Sequence, residues 1–277
     1  MILPQKWIIL RPGFLIPVFF LSFCQLSGQI HWLDAESLAL GRCYSSCKGT
    51  ASPGINQAGL GWIDQNSCSL HHLQPFLTTG LGMTALTAQL SMKRGGLGIR
   101  TSTMGITGMR QSSSWISYGL TLHSRIAAGV GILVRHTGVS EEPVSHLEAG
   151  FALGLQFRIE NNLILGAHIT HPAAWQNHQP LVDNNLLMIT SGLSYSFFKT
   201  THYFTEFQLS AGKPVRWCHG LAVKLTDSMR MLAGMHNHPW SFSAGVSLEY
   251  RSWFIVLSGA YCLDTGTTPS TSLSYVW

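Results

Sequence analysis

In SHLEAGFALGLQFR the apolar residues Leu147, Ala149, Phe151, Leu153, Leu155 and Phe157 fall at every second position. His146, Glu148, Gly150, Gly154, Gln156 and Arg158 fall between them. A period of two belongs to a strand with one apolar face, not to a helix. WSFSAGVSLEYR repeats the pattern. Trp240, Phe242, Ala244, Val246, Leu248 and Tyr250 oppose Ser241, Ser243, Gly245, Ser247, Glu249 and Arg251. SWISYGLTLH, RIAAGVGILVR, NLILGAHIT, LLMITSGLSYSF and HYFTEFQLSAG continue it. Several runs are about 10 residues long, enough to cross a bilayer as a tilted strand. Counting them predicts roughly fourteen strands. They lie near 66–74, 80–92, 95–103, 114–123, 126–136, 145–158, 162–170, 186–197, 202–211, 215–225, 229–236, 240–250, 253–262 and 270–277.

The connections carry a second pattern. KRG, HSR, IEN, KTT, TDS and RS follow the even strands, and all are tight. GITGMRQSSS, TGVSEEPV, THPAAWQNHQPLVDNN and DTGTTP follow odd strands and are longer, whereas KP and NHP are short exceptions. Short turns alternating with longer loops mark an outer-membrane barrel, with the turns in the periplasm and the loops outside. An even strand count then puts both termini in the periplasm. A soluble sandwich has no such parity. A closed barrel has no free edge, so its last strand pairs with its first. STSLSYVW reads as that closing strand, with Leu273, Tyr275 and Trp277 facing lipid. The terminal aromatic resembles the C-terminal signal that outer-membrane barrels present to their insertion machinery.

Composition sharpens the picture. Charged residues are 10% of the 277-residue chain, while apolar ones are 45%. A soluble domain carries about 25% charge. After the first 30 residues no stretch reaches the ~20 apolar residues of a spanning helix. Low charge without a long apolar run fits an all-β transmembrane antiparallel up-and-down barrel, where alternation dilutes the apolar residues.

Residues 1–29 read as a signal peptide: Lys6 and Arg11, the apolar core GFLIPVFFLSF, and small residues in QLSGQ. Their removal leaves 15 basic residues against 12 acidic ones, a net charge of +3. The basic residues are scattered and form no stripe, which argues against nucleic acid. Cys43, Cys47, Cys68, Cys218 and Cys262 remain, an odd set that makes a poor disulfide framework. Cys43 and Cys47 are close enough to pair across a turn, or to serve as small apolar residues.

Residues 30–65 lose the alternation and form a plug-like segment ahead of a barrel over 66–277. At SLALGRCYSSCKGTASPGINQAGLGW the segment resembles the N-terminal stretch of FadL-like outer-membrane proteins, which include the PorV/PorQ-like group of type IX secretion. There, Asn-Pro-Ala-Gly-Leu precedes the first strand. The matching residues are Asn56, Gln57, Ala58, Gly59 and Leu60, with Gln57 in place of proline. GMHNHPWSFSAGVSLEYRSWFIVLSGAY and STSLSYVW resemble the last strands of the PorV/PorQ-like group. The resemblance implies a fourteen-stranded barrel whose N-terminal segment enters the lumen. It also implies either passage of hydrophobic compounds or docking of secreted cargo.

Chemistry is thin by comparison. His71 and His72 are adjacent and face opposite ways, His236 and His238 are expected to share a face at a strand end, and His168 and His171 flank a turn with His178 in the following loop. None has the spacing of three or four converging metal ligands. Asp183, His178, Glu141 and Glu142 lie in outer loops without a neighbouring nucleophile, so no catalytic residue and no cofactor is expected. Candidate inward charges are few: Arg135, Glu148, Arg158, Glu206, Lys224, Glu249 and Arg251. A hydrophilic porin lines its pore more heavily. Inward glycines point to strand bending or a closely packed plug. Trp175, in WQNH, is the candidate surface contact, or an interfacial tryptophan. The expected surroundings are outer-membrane lipid, the insertion machinery, and secretion or surface proteins. The expected function is a non-catalytic PorV/PorQ-like component. The alternative is a FadL-like passive channel for small hydrophobic molecules.

Overall fold

The alternating runs pair into one closed sheet. The computed structural model describes residues 33–106, 108–140, 145–176, 187–198 and 200–277, the side chains of 171–176 excepted. The strands are β1 (Ser67–Leu73), β2 (Gly82–Met92), β3 (Gly95–Ile106), β4 (Met109–His123), β5 (Ile126–Val139), β6 (His146–Glu160) and β7 (Leu163–Gln176). After them come β8 (Met188–Phe197), β9 (Thr201–Ser210), β10 (Arg216–Thr226), β11 (Met229–His236), β12 (Ser241–Tyr250), β13 (Trp253–Cys262) and β14 (Gly266–Val276). Each pairs antiparallel with its sequence neighbours, and β1 pairs with β14 to close the barrel. The predicted all-β barrel of fourteen strands is the observed fold. The signal-peptide reading of residues 1–29 falls outside the described residues.

Two faces follow from the alternation. Outward positions carry Leu86, Ile99, Ile116, Val130, Ile132, Phe151, Leu153, Leu155, Leu221, Leu257 and Leu273, all exposed. Water would penalise such a band by roughly 25 cal/mol per Å² of apolar surface, whereas lipid does not. Inward positions carry Ser69, Thr87, Ser102, Ser117, Thr190, Ser247, Ser270 and Ser272, all buried. Aromatic side chains gather near the turn end of the wall. Tyr275 stands 4.8 Å from Trp253 and 5.7 Å from Trp277, ring centre to ring centre. The main chain of Trp277 exchanges two hydrogen bonds with Asn66, at 3.0 and 3.1 Å, extending the closing seam past β14.

Several strands run further than their apolar alternation. GITGMRQSSS was expected as a loop, yet β3 continues to Ile106 and β4 starts at Met109. Ser112, Ser113 and Ser114 pair with Thr103, Ser102 and Thr101 on one side and with His136, Arg135 and Val134 on the other. DTGTTP likewise contracts, because β14 begins at Gly266. Beyond the apolar band both faces of a strand can be polar, so the sequence alternation stops while the hydrogen-bond ladder continues. The contrast between short turns and long loops is therefore weaker than the sequence suggests. Arg251 is corrected too: it occupies the β12–β13 turn, exposed, and does not face the lumen.

Candidate functional site

The lumen is occupied by the chain's own segment 33–65. Helix α1 (Ala35–Ala39) starts at Asp34, whose Oδ1 accepts from the Ser37 amide at 3.1 Å. α1 packs on β11, β12, β13 and β14. A five-residue helix leaves most of its terminal polar groups open, and the wall supplies partners. Ser272 Oγ accepts from the Ala35 amide at 3.0 Å. Ser243 Oγ donates to the Ala39 carbonyl at 2.9 Å and accepts from the Gly41 amide at 3.2 Å.

The segment then crosses the barrel as irregular backbone. Glu206 Oε2, on β9, accepts from the amides of Tyr44 and Ser45 at 3.0 and 2.7 Å. Gln208 Nε2 donates to Glu206 Oε1 at 2.8 Å and to the Arg42 carbonyl at 3.0 Å. Gln156 Nε2, on β6, bridges the carbonyls of Ser45 and Cys47 at 3.0 and 2.9 Å. Gln89 Nε2 donates to the Gly49 carbonyl at 2.8 Å and Ser117 Oγ to that of Pro53 at 2.6 Å. Non-helical backbone at membrane depth is tolerated only where protein satisfies it in this way. The final short 3₁₀ turn, Gln57–Trp62, packs on β3, β4, β5 and β6. Arg158 lies over the Trp62 ring, 3.6 Å from its centre.

The contact is close because the facing wall residues are glycines. A Cβ on Gly129 would stand 2.2 Å from the Gln57 carbonyl carbon, and one on Gly234 would stand 2.1 Å from the Gly41 nitrogen. No side chain fits at such separations.

Electrostatics favour anchoring over catalysis. Glu206 is 1% exposed, and its carboxyl oxygens accept from three N–H donors. Glu36 pairs with Arg230 at 3.2 Å. Burial pushes the Asp34 carboxyl above its ordinary value, while hydrogen bonds from Ser37 pull it down. Burial likewise pushes the Cys43 thiol well up, helped by Glu206, so it stays a protonated apolar group. All five described cysteines are free, and Cys47 donates to the Cys43 carbonyl at 3.5 Å.

The sequence motif maps onto this plug. Asn56 caps the 3₁₀ turn, its Oδ1 accepting from the Ala58 amide at 3.1 Å. Its Nδ2 donates to the Ser45 carbonyl at 2.6 Å. Gln57, Ala58, Gly59 and Leu60 are all buried. Leu273, Tyr275 and Trp277 line the outer wall at the closing seam, away from the plug. Trp175 belongs to β7, opposite Ala149, and its side chain lies outside the described residues, as do His178, Asp183, Glu141 and Glu142. His71 and His168 face the lumen singly, and His72 faces out. His236 is buried while His238 is exposed in the following turn, so the two do not share a face. Among the described residues no three His, Cys, Asp or Glu side chains converge. Glu206 and Gln156 were visible in the sequence as inward polar positions, but not as anchors. Arg100 and Arg230 also face inward, and the sequence reading did not single them out.

On the loop side of the plug the lumen is apolar on one flank. Trp115 of β4, opposite Leu133 of β5, and Ala152 of β6 form a buried inward cluster. Leu73 and Met83 face inward as a pair between β1 and β2, and Met188 meets the Tyr44 hydroxyl at 3.8 Å.

No protein-family model and no curated protein matches the sequence. Solved structures match the fold. The Pseudomonas putida toluene transporter TodX superposes with a TM-score of 0.69 at 12% identity, over 90% of this chain and 98% of that one. The Ralstonia pickettii toluene transporter TbuX gives 0.65 at 12% identity, over 90% and 98%. A Pseudomonas aeruginosa FadL homologue gives 0.58 at 10%, over 88% and 96%.

Proposed function

We propose that this chain is a non-catalytic outer-membrane barrel that passes small hydrophobic molecules, such as monoaromatic hydrocarbons. One observation carries the reading: the inward apolar cluster of Trp115, Leu133 and Ala152 above the plug, with Leu73 and Met83 also facing inward on the loop side. An aqueous pore for charged solutes has no use for a buried indole in its wall. The likeness in fold to toluene transporters and a FadL homologue supports the same reading. In this arrangement the turn end of the barrel, which bears Trp277, faces the periplasm, and Trp277 contacts the insertion machinery. The test is uptake of a labelled monoaromatic hydrocarbon by Gram-negative cells, whose lipopolysaccharide leaflet slows such solutes. Cells making the barrel should accumulate it faster than cells without it, and Leu133→Asp should remove the gain. Equal uptake in all three would end the channel reading.

A docking or secretion role of the PorV/PorQ-like kind is favoured by a different observation, the tight fit of the plug against Gly129 and Gly234. A barrel that never opens is a scaffold. In that case the uptake gain is absent, and a crosslinker at the loop end captures a secreted or surface protein from intact cells.

A further inference from the structure

A cleft of about 490 Å³ opens at the turn end of the barrel. Lys93 and Arg94 form the β2–β3 turn and line the cleft with His123, the last residue of β4; all three are exposed, as is Arg125 in the adjoining β4–β5 turn. The strand between them starts with Gly95, which has no side chain to fill the gap, and a Cβ there would stand 1.9 Å from the Gly119 carbonyl oxygen. Met92 and Leu122 line the same cleft from outward positions, 47% and 60% exposed. They continue the lipid-facing band of Leu90 and Ile99. The inner wall is the exit of the plug at Gly61, Ile63 and Asp64. Asp64 is the one carboxylate there, and Lys48 and Arg158 both interact with it electrostatically.

We propose that this cleft binds the phosphate-bearing headgroup of an anionic phospholipid, with the acyl chains lying along Met92 and Leu122. Cations on the rim meet the phosphodiester, and apolar residues that already face the membrane meet the chains. A free anion would meet the rim alone, whereas the cleft runs on to Met92 and Leu122, where acyl chains already lie against the wall. The continuity of cleft and lipid-facing wall therefore selects the lipid. The inference rests on the barrel spanning a membrane, not on what its lumen carries.

The experiment is native mass spectrometry of the full chain in detergent, titrated with phosphatidylglycerol and, separately, with phosphatidylcholine. Phosphatidylglycerol should bind in preference. Each cation beside an anionic headgroup is worth about fivefold, so Lys93→Ala with Arg94→Ala should weaken binding roughly 25-fold. Arg110→Ala, at the opposite end, should leave it unchanged. Met92→Gln with Leu122→Gln should weaken it too, and excess inorganic phosphate should not displace the lipid. Equal binding of the two lipids, or unchanged affinity in the turn variant, would overturn the proposal. Full displacement by inorganic phosphate would also overturn it and leave a simple anion site. If the double variant does not form a barrel, Lys93→Gln alone carries the test, with about a fivefold loss expected.

Discussion

Glu206 shows how a single inward carboxylate can hold a backbone segment. Its Oε2 is the acceptor for two buried amides, those of Tyr44 and Ser45. Leaving a buried donor unsatisfied costs about 1–3 kcal/mol. Glu206→Ala should therefore destabilise the barrel by roughly 2–4 kcal/mol, read as a lower midpoint in urea unfolding followed by gel mobility. Glu206→Gln should fall between alanine and the parent, since an amide oxygen still accepts. An alanine variant as stable as the parent would remove Glu206 from the anchoring set. The glycines answer to the opposite demand. Gly129→Val should expel the plug or block assembly, because its side chain would overlap Gln57. Gly138→Val, on the same strand, should be tolerated, since its nearest neighbour is a His136 ring atom at 3.8 Å. Sequence reading reached this scale only partly. Asn56 and the inward glycines stood out, because a motif and a strand face each mark them. Which glycine meets which plug residue depends on how the segment folds across the lumen, and no spacing encodes that.

Strands were the most legible elements, and their outer ends the least. β6 and β12 could be read directly, since apolar and polar residues alternate along most of their length. The outer end of β4 could not, because Gln111 to Ser114 offers four polar residues in a row. Their pairing to both neighbours is backbone chemistry, indifferent to side-chain polarity. The amides of Ser112, Ser113 and Ser114 should accordingly exchange slowly with deuterium, at rates closer to Ile116 than to the exposed Gly80. Fast exchange across all three would restore the loop expected from sequence. α1 escaped sequence reading because five residues are too few to show a helical period.

For the molecule as a whole, wall and plug are two halves of one core. The wall contributes Ser, Thr, Gln and glycine faces, and the segment 33–65 contributes backbone groups that need those partners. The intact barrel should be electrically silent in a planar bilayer. Deletion of residues 33–62 should produce steady conductance, because the inward face left behind is polar and wide enough for water. A conducting parent protein would mean that the segment does not close the lumen. A deleted form that stays silent would mean that the wall collapses without it. The overall architecture was legible from parity, alternation and low charge together. The occupancy of the lumen was suggested by resemblance, but the ladder of Glu206, Gln208, Gln156, Gln89 and Ser117 beneath it required the three-dimensional register.

The close approach of Gly129 and Gly234 to the plug also constrains heredity. Outside the barrel, leucine, isoleucine, valine and phenylalanine do the same work, so descendants of this gene can drift among them at little cost. Inside, one added methyl group is already too large. Two faces of the same strand, separated by a single residue, therefore accumulate change at very different speeds. Among diverged copies, the silent side of the wall should be conserved in its smallest residues, while the side that touches lipid keeps only its oiliness.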